Sequence, residues 1–480
     1  MRELISDSRQ DQPYLNHLHL LDTGDEALRV RAALIDAASC RIDLQYYIWN
    51  SDTSGRYLVS RLLAAADRGV HIRLLLDDIN VASRESLMAL LATHDNIEVQ
   101  IYNPFSQRRG LGRAMNLASE FGRLNRRMHV KSFTVDQSVT ILGGRNIGDE
   151  YFDLHHELNF RDRDVLVTGP VVDQTMAMFE EFWNWSLSRP VAELTGTVAK
   201  PDMDWQAHWI RESGEKMNRI HPVLPENNTD GRRYLVSVFS QAITAPAHLI
   251  HDPPPDARSP AGTDQVQPGS RTLMDAAAES RSDLLIESAY LVADEQMLNR
   301  MTQLQDRGVR IRALTNSLAS NDVTANHASY ARRRKDMLRS GMEIYELRPD
   351  AASCPDIILN GSACGADHIF GLHAKTYVID LKTLYIGSLN LNLRSRFLNA
   401  EAGVLIENRP LATRVARDIE ANMTPDNSWR PVLDEHNRLR WIDGGEGGSP
   451  EKLIDHEPEV GWLRRLQAGL LGLFPIDRYF

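Results

Sequence analysis

Two stretches 239 residues apart carry nearly the same seven residues, Asp67-Arg-Gly-Val-His-Ile-Arg73 and Asp306-Arg-Gly-Val-Arg-Ile-Arg312. A repeat of that period is a duplication of a domain-sized unit, so the chain must fold as two copies of one plan. Each copy has the same local order. An apolar run opens it (Arg41-Ile-Asp-Leu-Gln-Tyr-Tyr-Ile48 and Arg281-Ser-Asp-Leu-Leu-Ile286), and a helical pattern follows (Tyr57 to Ala66 and Gln296 to Leu304). A glycine then stops the helix, and a second apolar run (Ile72 to Leu76 and Ile311 to Leu314) closes the unit. Strand, helix and strand in that order predict βαβ units with parallel pairing and right-handed crossovers. The expected fold class is α/β, with two mixed sheets packed about a pseudo-twofold. The 480 residues exceed what one core usually holds.

Proline and glycine mark the boundaries. His251-Asp-Pro-Pro-Pro255 and Ala257-Arg-Ser-Pro-Ala-Gly262 predict a linker loop, and Asp443-Gly-Gly-Glu-Gly-Gly-Ser-Pro450 detaches a tail. The expected organisation is a first half over 1–243, a linker over 244–271, a second half over 272–441, and a tail over 442–480.

Inside this repeat lies a paired motif. The first half has His129-Val-Lys131-Ser-Phe-Thr-Val-Asp136 followed by Gly143-Gly144-Arg-Asn146. The second has His373-Ala-Lys375-Thr-Tyr-Val-Ile-Asp380 followed by Gly387-Ser388-Leu-Asn390. In an extended segment, His-x-Lys puts both side chains on one face. Each aspartate falls where the strand ends in a turn, and a second strand returns to the glycine. Two hairpins would thus deliver histidine, lysine and asparagine to one place. The chemistry fits a phosphodiester: one histidine attacks phosphorus, the other protonates the departing alkoxide, and lysine and asparagine hold the phosphoryl oxygens. Nothing in this mechanism calls for a metal or cofactor. Asp136 and Asp380 are candidate catalytic residues that tune the histidines, or else they only close the turns.

These motifs resemble those of the phospholipase D superfamily, in which His-x-Lys-x4-Asp occurs twice and both copies share one site. Within it the chain looks most like bacterial cardiolipin synthases of the C type. The resemblance rests on Asp43-Leu-Gln-Tyr-Tyr-Ile-Trp49, Leu124-Asn-Arg-Arg-Met-His129, Gly143 to Gly148, Leu314 to Leu318, His327 to Arg332, and Asn390, Arg394, Ser395, Asn399 and Glu401. It implies a duplicated phospholipase D fold with one shared active site. The catalytic set would be His129, Lys131, Asp136, His373, Lys375 and Asp380, with Gly144, Asn146, Ser388, Asn390 and Glu401 binding substrate. The reaction implied is phosphatidyl transfer through a phosphohistidine to the hydroxyl of phosphatidylglycerol, from phosphatidylethanolamine or phosphatidylglycerol as donor. His129 would be the nucleophile and His373 the acid and base. The expected location is peripheral, on the cytoplasmic face of the bacterial inner membrane.

Composition separates the rivals. A net charge of -11 counts against a nucleic-acid partner, although local arginines keep a phosphodiesterase of the same superfamily open. A phospholipase D hydrolase and a non-catalytic lipid scaffold compete with the transferase as well. Cys40, Cys354 and Cys364 are too few and too irregular for a disulfide framework or a zinc site, and fit a reducing compartment. No apolar run reaches a membrane-spanning length, and Met1 to Gln12 is too polar for a signal peptide. Two segments are candidates for contact with a membrane surface. One is the tail from Trp462 to Phe474, apolar at every fourth residue, which either lies on a leaflet or packs on the core. The other is the arginine cluster between Gln107 and Arg127, which recruits anionic headgroups or is a solvated helix face.

Overall fold

A computed structural model describes residues 14–477 apart from 80–87, 89–90, 107–119, 196–211, 218, 220–223, 225–227, 256–264, 359–363, 365–367, 445–450 and 475–476. The described strands of the first half are β1 (Asn16–Leu21), β2 (Arg41–Tyr46), β3 (His71–Asp77), β4 (Ile97–Tyr102), β5 (Ser132–Val135), β6 (Val139–Gly143), β7 (Leu158–Arg161), β8 (Asp164–Thr168), β9 (Ser188–Pro190) and β10 (Ile243–Ala245). All but β7 form one nine-stranded sheet in the order β10-β1-β8-β6-β5-β2-β3-β4-β9. The second half supplies β11 (Ala247–His251), β12 (Asp283–Ser288), β13 (Arg310–Asn316), β14 (Glu343–Leu347), β15 (Ile369–Leu372), β16 (Lys375–Ile379), β17 (Thr383–Gly387), β18 (Ala402–Glu407), β19 (Ser428–Leu433), β20 (Leu439–Asp443) and β21 (Lys452–Ile454). All but β15 form a ten-stranded sheet in the order β11-β18-β17-β16-β12-β13-β14-β19-β20-β21. The run β8-β6-β5-β2-β3-β4 matches β18-β17-β16-β12-β13-β14, strand for strand. In both, the βαβ strands pair in parallel and the motif hairpin joins them antiparallel.

The repeated Asp-Arg-Gly-Val has a local cause. Helices Thr53–Asp67 and Glu295–Asp306 each begin at an aspartate, Asp52 or Asp294, whose side chain accepts a backbone N–H three residues on. Each ends with a glycine at positive φ, Gly69 at 90° and Gly308 at 82°. The following valine donates back into the helix, Val70 to the Ala65 carbonyl and Val309 to the Leu304 carbonyl, both at 3.1 Å. Both valines are buried. The seven-residue repeat is therefore a helix stop with its apolar clasp.

The two sheets face one another across a shared core. Leu18, Leu142, Val165 and Val167 of the first half pack in one cluster with Leu285, Phe370, Ala374, Val378, Ile386 and Val404 of the second. Two expectations about organisation change. The segment 244–271 opens in strands and closes in a helix: β10 pairs with β1 and β11 pairs with β18, with Pro246 between them handing the chain from one sheet to the other, and the helix Pro268–Ala278 begins at its far end. Only 256–264 of the predicted loop lies outside the described residues. The tail is also not detached, because β21 extends the second sheet by pairing with β20.

Candidate active site

The two motif histidines, His129 and His373, stand just before β5 and β16, and each is placed by the opposite half. The Arg127–His129 segment hydrogen-bonds to Ala400, with His129 N–H on the Ala400 carbonyl and Ala400 N–H on the Arg127 carbonyl, both 2.8 Å. In mirror fashion β15 runs parallel to β7, and His373 N–H meets the Arg161 carbonyl at 2.8 Å. These two crossings bring the motifs to the seam between the sheets. Both histidines are nearly enclosed, 7% and 6% exposed.

The seam also exchanges carboxylates. His129 Nδ1 lies 2.7 Å from Glu401 Oε2, and His373 Nδ1 lies 2.6 Å from Asp162 Oδ2. Each imidazole therefore leans on an acid of the other half. Glu401 is braced by the Ser388 hydroxyl at 2.5 Å, the Ser395 hydroxyl at 2.6 Å and the Asn399 amide at 3.2 Å. Asp162 has no hydroxyl at the corresponding place, which is Gly144. A Cβ there would come within 2.2 Å of its carboxylate, so glycine makes room for the acid. Asp162 is the residue missed in the sequence. It stands 239 positions before Glu401, the same offset as the helix-stop repeat, and that register was the available signal.

Burial, only partly opposed by Glu401, pushes the His129 imidazole down to about 4. His373 falls to about 4 as well, through burial and then the charge of Lys375. Burial works against Glu401 too, but His129 and Lys131 outweigh it and hold that carboxyl down at about 2. Asp162 is held low in the same way by His373 and Lys375. The acids are ionised and accept the Nδ1–H, which leaves a lone pair on Nε2 of each neutral ring. Lys131 and Lys375 are buried, and burial lowers both, Lys375 to about 8. Each donates to the carbonyl of its own motif histidine. Aromatic rings wall the site. Tyr47 packs edge-on to His129 and Tyr151 edge-on to His373, both with centroids 5.0 Å apart. The Tyr290 ring centre lies 6.0 Å from Lys375 Nζ, and its hydroxyl donates to Asp322 at 3.0 Å.

Other candidates from the sequence land elsewhere. Asp136 and Asp380 touch neither histidine. Both sit in left-handed turn positions, φ 50° and 52°, at the far end of their strands. Asp136 accepts from the backbone N–H groups of Ser39, Cys40 and Arg41, and Asp380 from those of Arg281, Ser282 and Asp283. Each pins its hairpin to the start of the neighbouring strand. Their catalytic assignment gives way to the turn-closing role, for that reason of distance and partners. Asn146 accepts from Ile48 N–H at 3.2 Å and donates to the Tyr151 hydroxyl at 3.0 Å, so it ties the β2 exit to the wall beside His373. Asn390 accepts from Tyr290 N–H at 3.4 Å on the other side. Of the arginine cluster, 107–119 lie outside the described residues. Among the described residues no group of three or more His, Cys, Asp or Glu side chains is arranged to hold a metal ion.

The cysteines correct the sequence reading. Cys354 and Cys364 form a disulfide with Cα atoms 5.8 Å apart, and Cys40 is free. A single local bridge needs no framework. It closes ten residues of the excursion between β14 and β15, the approach to His373.

Two enclosed imidazoles, each backed by an ionised acid and flanked by a lysine, on a duplicated α/β scaffold, define a phospholipase D-type phosphodiester enzyme. A family profile described as cardiolipin synthase, PLD-like domain matches residues 32–183 and 273–423, once in each half. The chain belongs to that family. It is 37% identical over 474 residues to cardiolipin synthase C of Escherichia coli, covering 95% of this chain and 94% of that protein. An uncharacterised protein of Helicobacter pylori is 30% identical, covering 96% and 89%. Among solved structures, phosphatidylserine synthase of Haemophilus influenzae superposes with a TM-score of 0.59 at 14% identity, over 99% of this chain and 100% of that one. That likeness shows the fold.

Proposed function

We propose that the chain is a phosphatidyltransferase that makes cardiolipin. The observation that carries the reading is the reciprocal histidine–carboxylate exchange, which joins both halves into one site. The cardiolipin synthase relative, aligned over nearly the whole chain, supports the substrate class. His129 Nε2 attacks the phosphorus of the donor lipid, phosphatidylglycerol or phosphatidylethanolamine. The P–O bond to the headgroup breaks, and His373 gives its proton to the departing oxygen. The donor's anionic phosphodiester raises His373 toward protonation before this step. Phosphatidyl-His129 then meets the hydroxyl of phosphatidylglycerol. His373 takes that proton as the oxygen attacks, and cleavage of the P–N bond restores His129. Lys131, Lys375, Asn146 and Asn390 are the groups we assign to the phosphoryl oxygens. The Tyr290–Asp322 pair beside Lys375 supports giving the headgroup side to His373, since an exposed carboxylate suits hydroxyls or an ammonium.

We place the protein peripherally on the inner membrane. Among the described residues no helix is long and apolar enough to cross a bilayer. The cytoplasmic face inferred from the cysteine count loses that support, because disulfides such as Cys354–Cys364 persist mainly in oxidising compartments. The deciding experiment supplies purified protein and EDTA with mixed phosphatidylglycerol and phosphatidylethanolamine vesicles labelled in the headgroup. Cardiolipin is the expected product. Phosphatidic acid alone would make the chain a hydrolase, cleavage of added DNA a nuclease, and no product a scaffold.

A further inference from the structure

The helix Trp462–Leu471 buries only Ala468. Trp462, Leu463, Leu466, Leu470, Leu473 and Phe474 are each more than half exposed. With 3.6 residues per turn, Trp462, Leu466 and Leu470 form one stripe, and Leu473 and Phe474 add exposed apolar surface just past the helix end. The inner side of the helix is basic and anchored. It packs on the helix Thr324–Arg339, Arg464 donates to the Asn321 carbonyl at 2.6 Å, and Arg332 holds the Phe474 carbonyl. Asn321 adjoins Asp322, which accepts from Tyr290, whose ring faces Lys375. The apolar stripe is thereby linked to the wall of the active site through four successive residues.

We propose that this stripe is the edge that seats the enzyme in the headgroup layer of an anionic bilayer. The proposal rests on the lipid-substrate reading above and adds where and how the lipid surface is met. Three features select a bilayer over a protein partner. A contiguous exposed apolar stripe is unusual on a monomer, and one carrying tryptophan at its end with arginines alongside has the form of an interfacial helix. Arg464 and Arg465 of the same helix set positive charge beside the stripe on a chain whose net charge is -11. An anionic surface would otherwise repel such a chain. The contact is also joined through Arg464, Asn321, Asp322 and Tyr290 to the wall beside Lys375, so seating this edge in a leaflet holds that wall near the lipid headgroups.

The test uses the full chain with Leu466→Glu and Leu470→Glu together, and Phe474→Ser separately as a variant outside the helix. Sedimentation with phosphatidylglycerol-containing vesicles should lose roughly 10²-fold in affinity for the double variant and less for the single one. Turnover of short-chain phosphatidylglycerol below its micelle concentration, and the melting temperature, should match the parent chain. Unchanged vesicle binding in both variants overturns the proposal. So does a parent chain that sediments as a dimer and a double variant that sediments as a monomer, since a second copy would then cover the stripe. Loss of short-chain turnover together with the melting temperature, in both variants, would make the helix structural and also overturn it. Vesicle binding through this face by a chain that makes no cardiolipin would refute the reading of the reaction and leave the docking edge standing.

Discussion

Replacing Glu401 by glutamine tests the site at its most informative contact. The amide keeps the size: its one carbonyl oxygen can still accept from Ser388 and His129, while its NH2 donates to the Ser395 hydroxyl, which can turn to accept, so the fold should survive. What disappears is the negative charge 2.7 Å from His129 Nδ1. In the resting enzyme that charge faces a neutral ring, whose pKa lies near 4. When Nε2 bonds to phosphorus the ring becomes cationic, and the carboxylate then stabilises it. Two unit charges about 4 Å apart at an effective dielectric near 20 interact by about 4 kcal/mol. At 1.36 kcal/mol per decade, that is a fall of about 10³ in kcat, with KM nearly unchanged because the ground state loses little. Initial rates of cardiolipin formation over a range of phosphatidylglycerol give both constants, and a thermal melt confirms the fold. A fall below about tenfold, or an effect confined to KM, would refute an electrostatic role for Glu401.

Asp136→Asn should cost about 1–3 kcal/mol in chemical denaturation, through weakened bonds to three backbone N–H groups, and leave kcat within a few-fold; a large loss of kcat in stable protein would return Asp136 to the catalytic set. Stability should fall as pH drops from 6.5 to 4. The unfolded chain protonates its histidines near 6.5 while His129 and His373 resist until about 4, so over that window the unfolded state binds more protons, about 3 kcal/mol for each ring. A double His129→Gln and His373→Gln variant should flatten this acid limb, and an unchanged limb would refute the burial argument. Arg163→Ala strips buried Glu287 of a partner at 2.9 Å and should cost about 3–5 kcal/mol. Adding Arg161→Ala and Glu287→Gln should recover much of that in equilibrium unfolding, because the triple variant copies the neutral arrangement of the other half. Alkylation and mass analysis of protein taken from cells should find one free thiol, Cys40; three would show that the bridge does not form there.

The duplication, the parallel strand pairs and the two motif histidines at the seam could be read directly, because short-range rules set them: a helix stop on Gly69 or Gly308, and a period-two strand carrying His and Lys. Glu401 came through its family motif. Asp162 did not, because Arg161-Asp162-Arg163 reads as a charged surface. It is buried only because Glu287 and Asp418, remote in sequence, neutralise the two arginines. Asp136 and Asp380 misled for a related reason. Where a turn residue aims its carboxylate depends on which strand lies beside the turn, and that is tertiary information. Strand β11 was obscured by the prolines that follow it, and the Cys354–Cys364 bridge depends on how an irregular loop folds back.

The crossed carboxylates bear on how such a chain arose. A lone half would present a histidine without its acid and an acid without its histidine, so an ancestor of single length could have worked only as a symmetric pair of identical subunits. Fusion then released the two seams to drift apart. Beneath His373 lie Arg161, Arg163 and Glu287, while the matching places beneath His129 hold Ala400, Ala402 and Gln45, whose buried amide has no hydrogen-bond partner among the described residues. Identical subunits can never acquire such a difference. One histidine rests on charged groups and the other on neutral ones, an asymmetry open only to a gene that carries both copies.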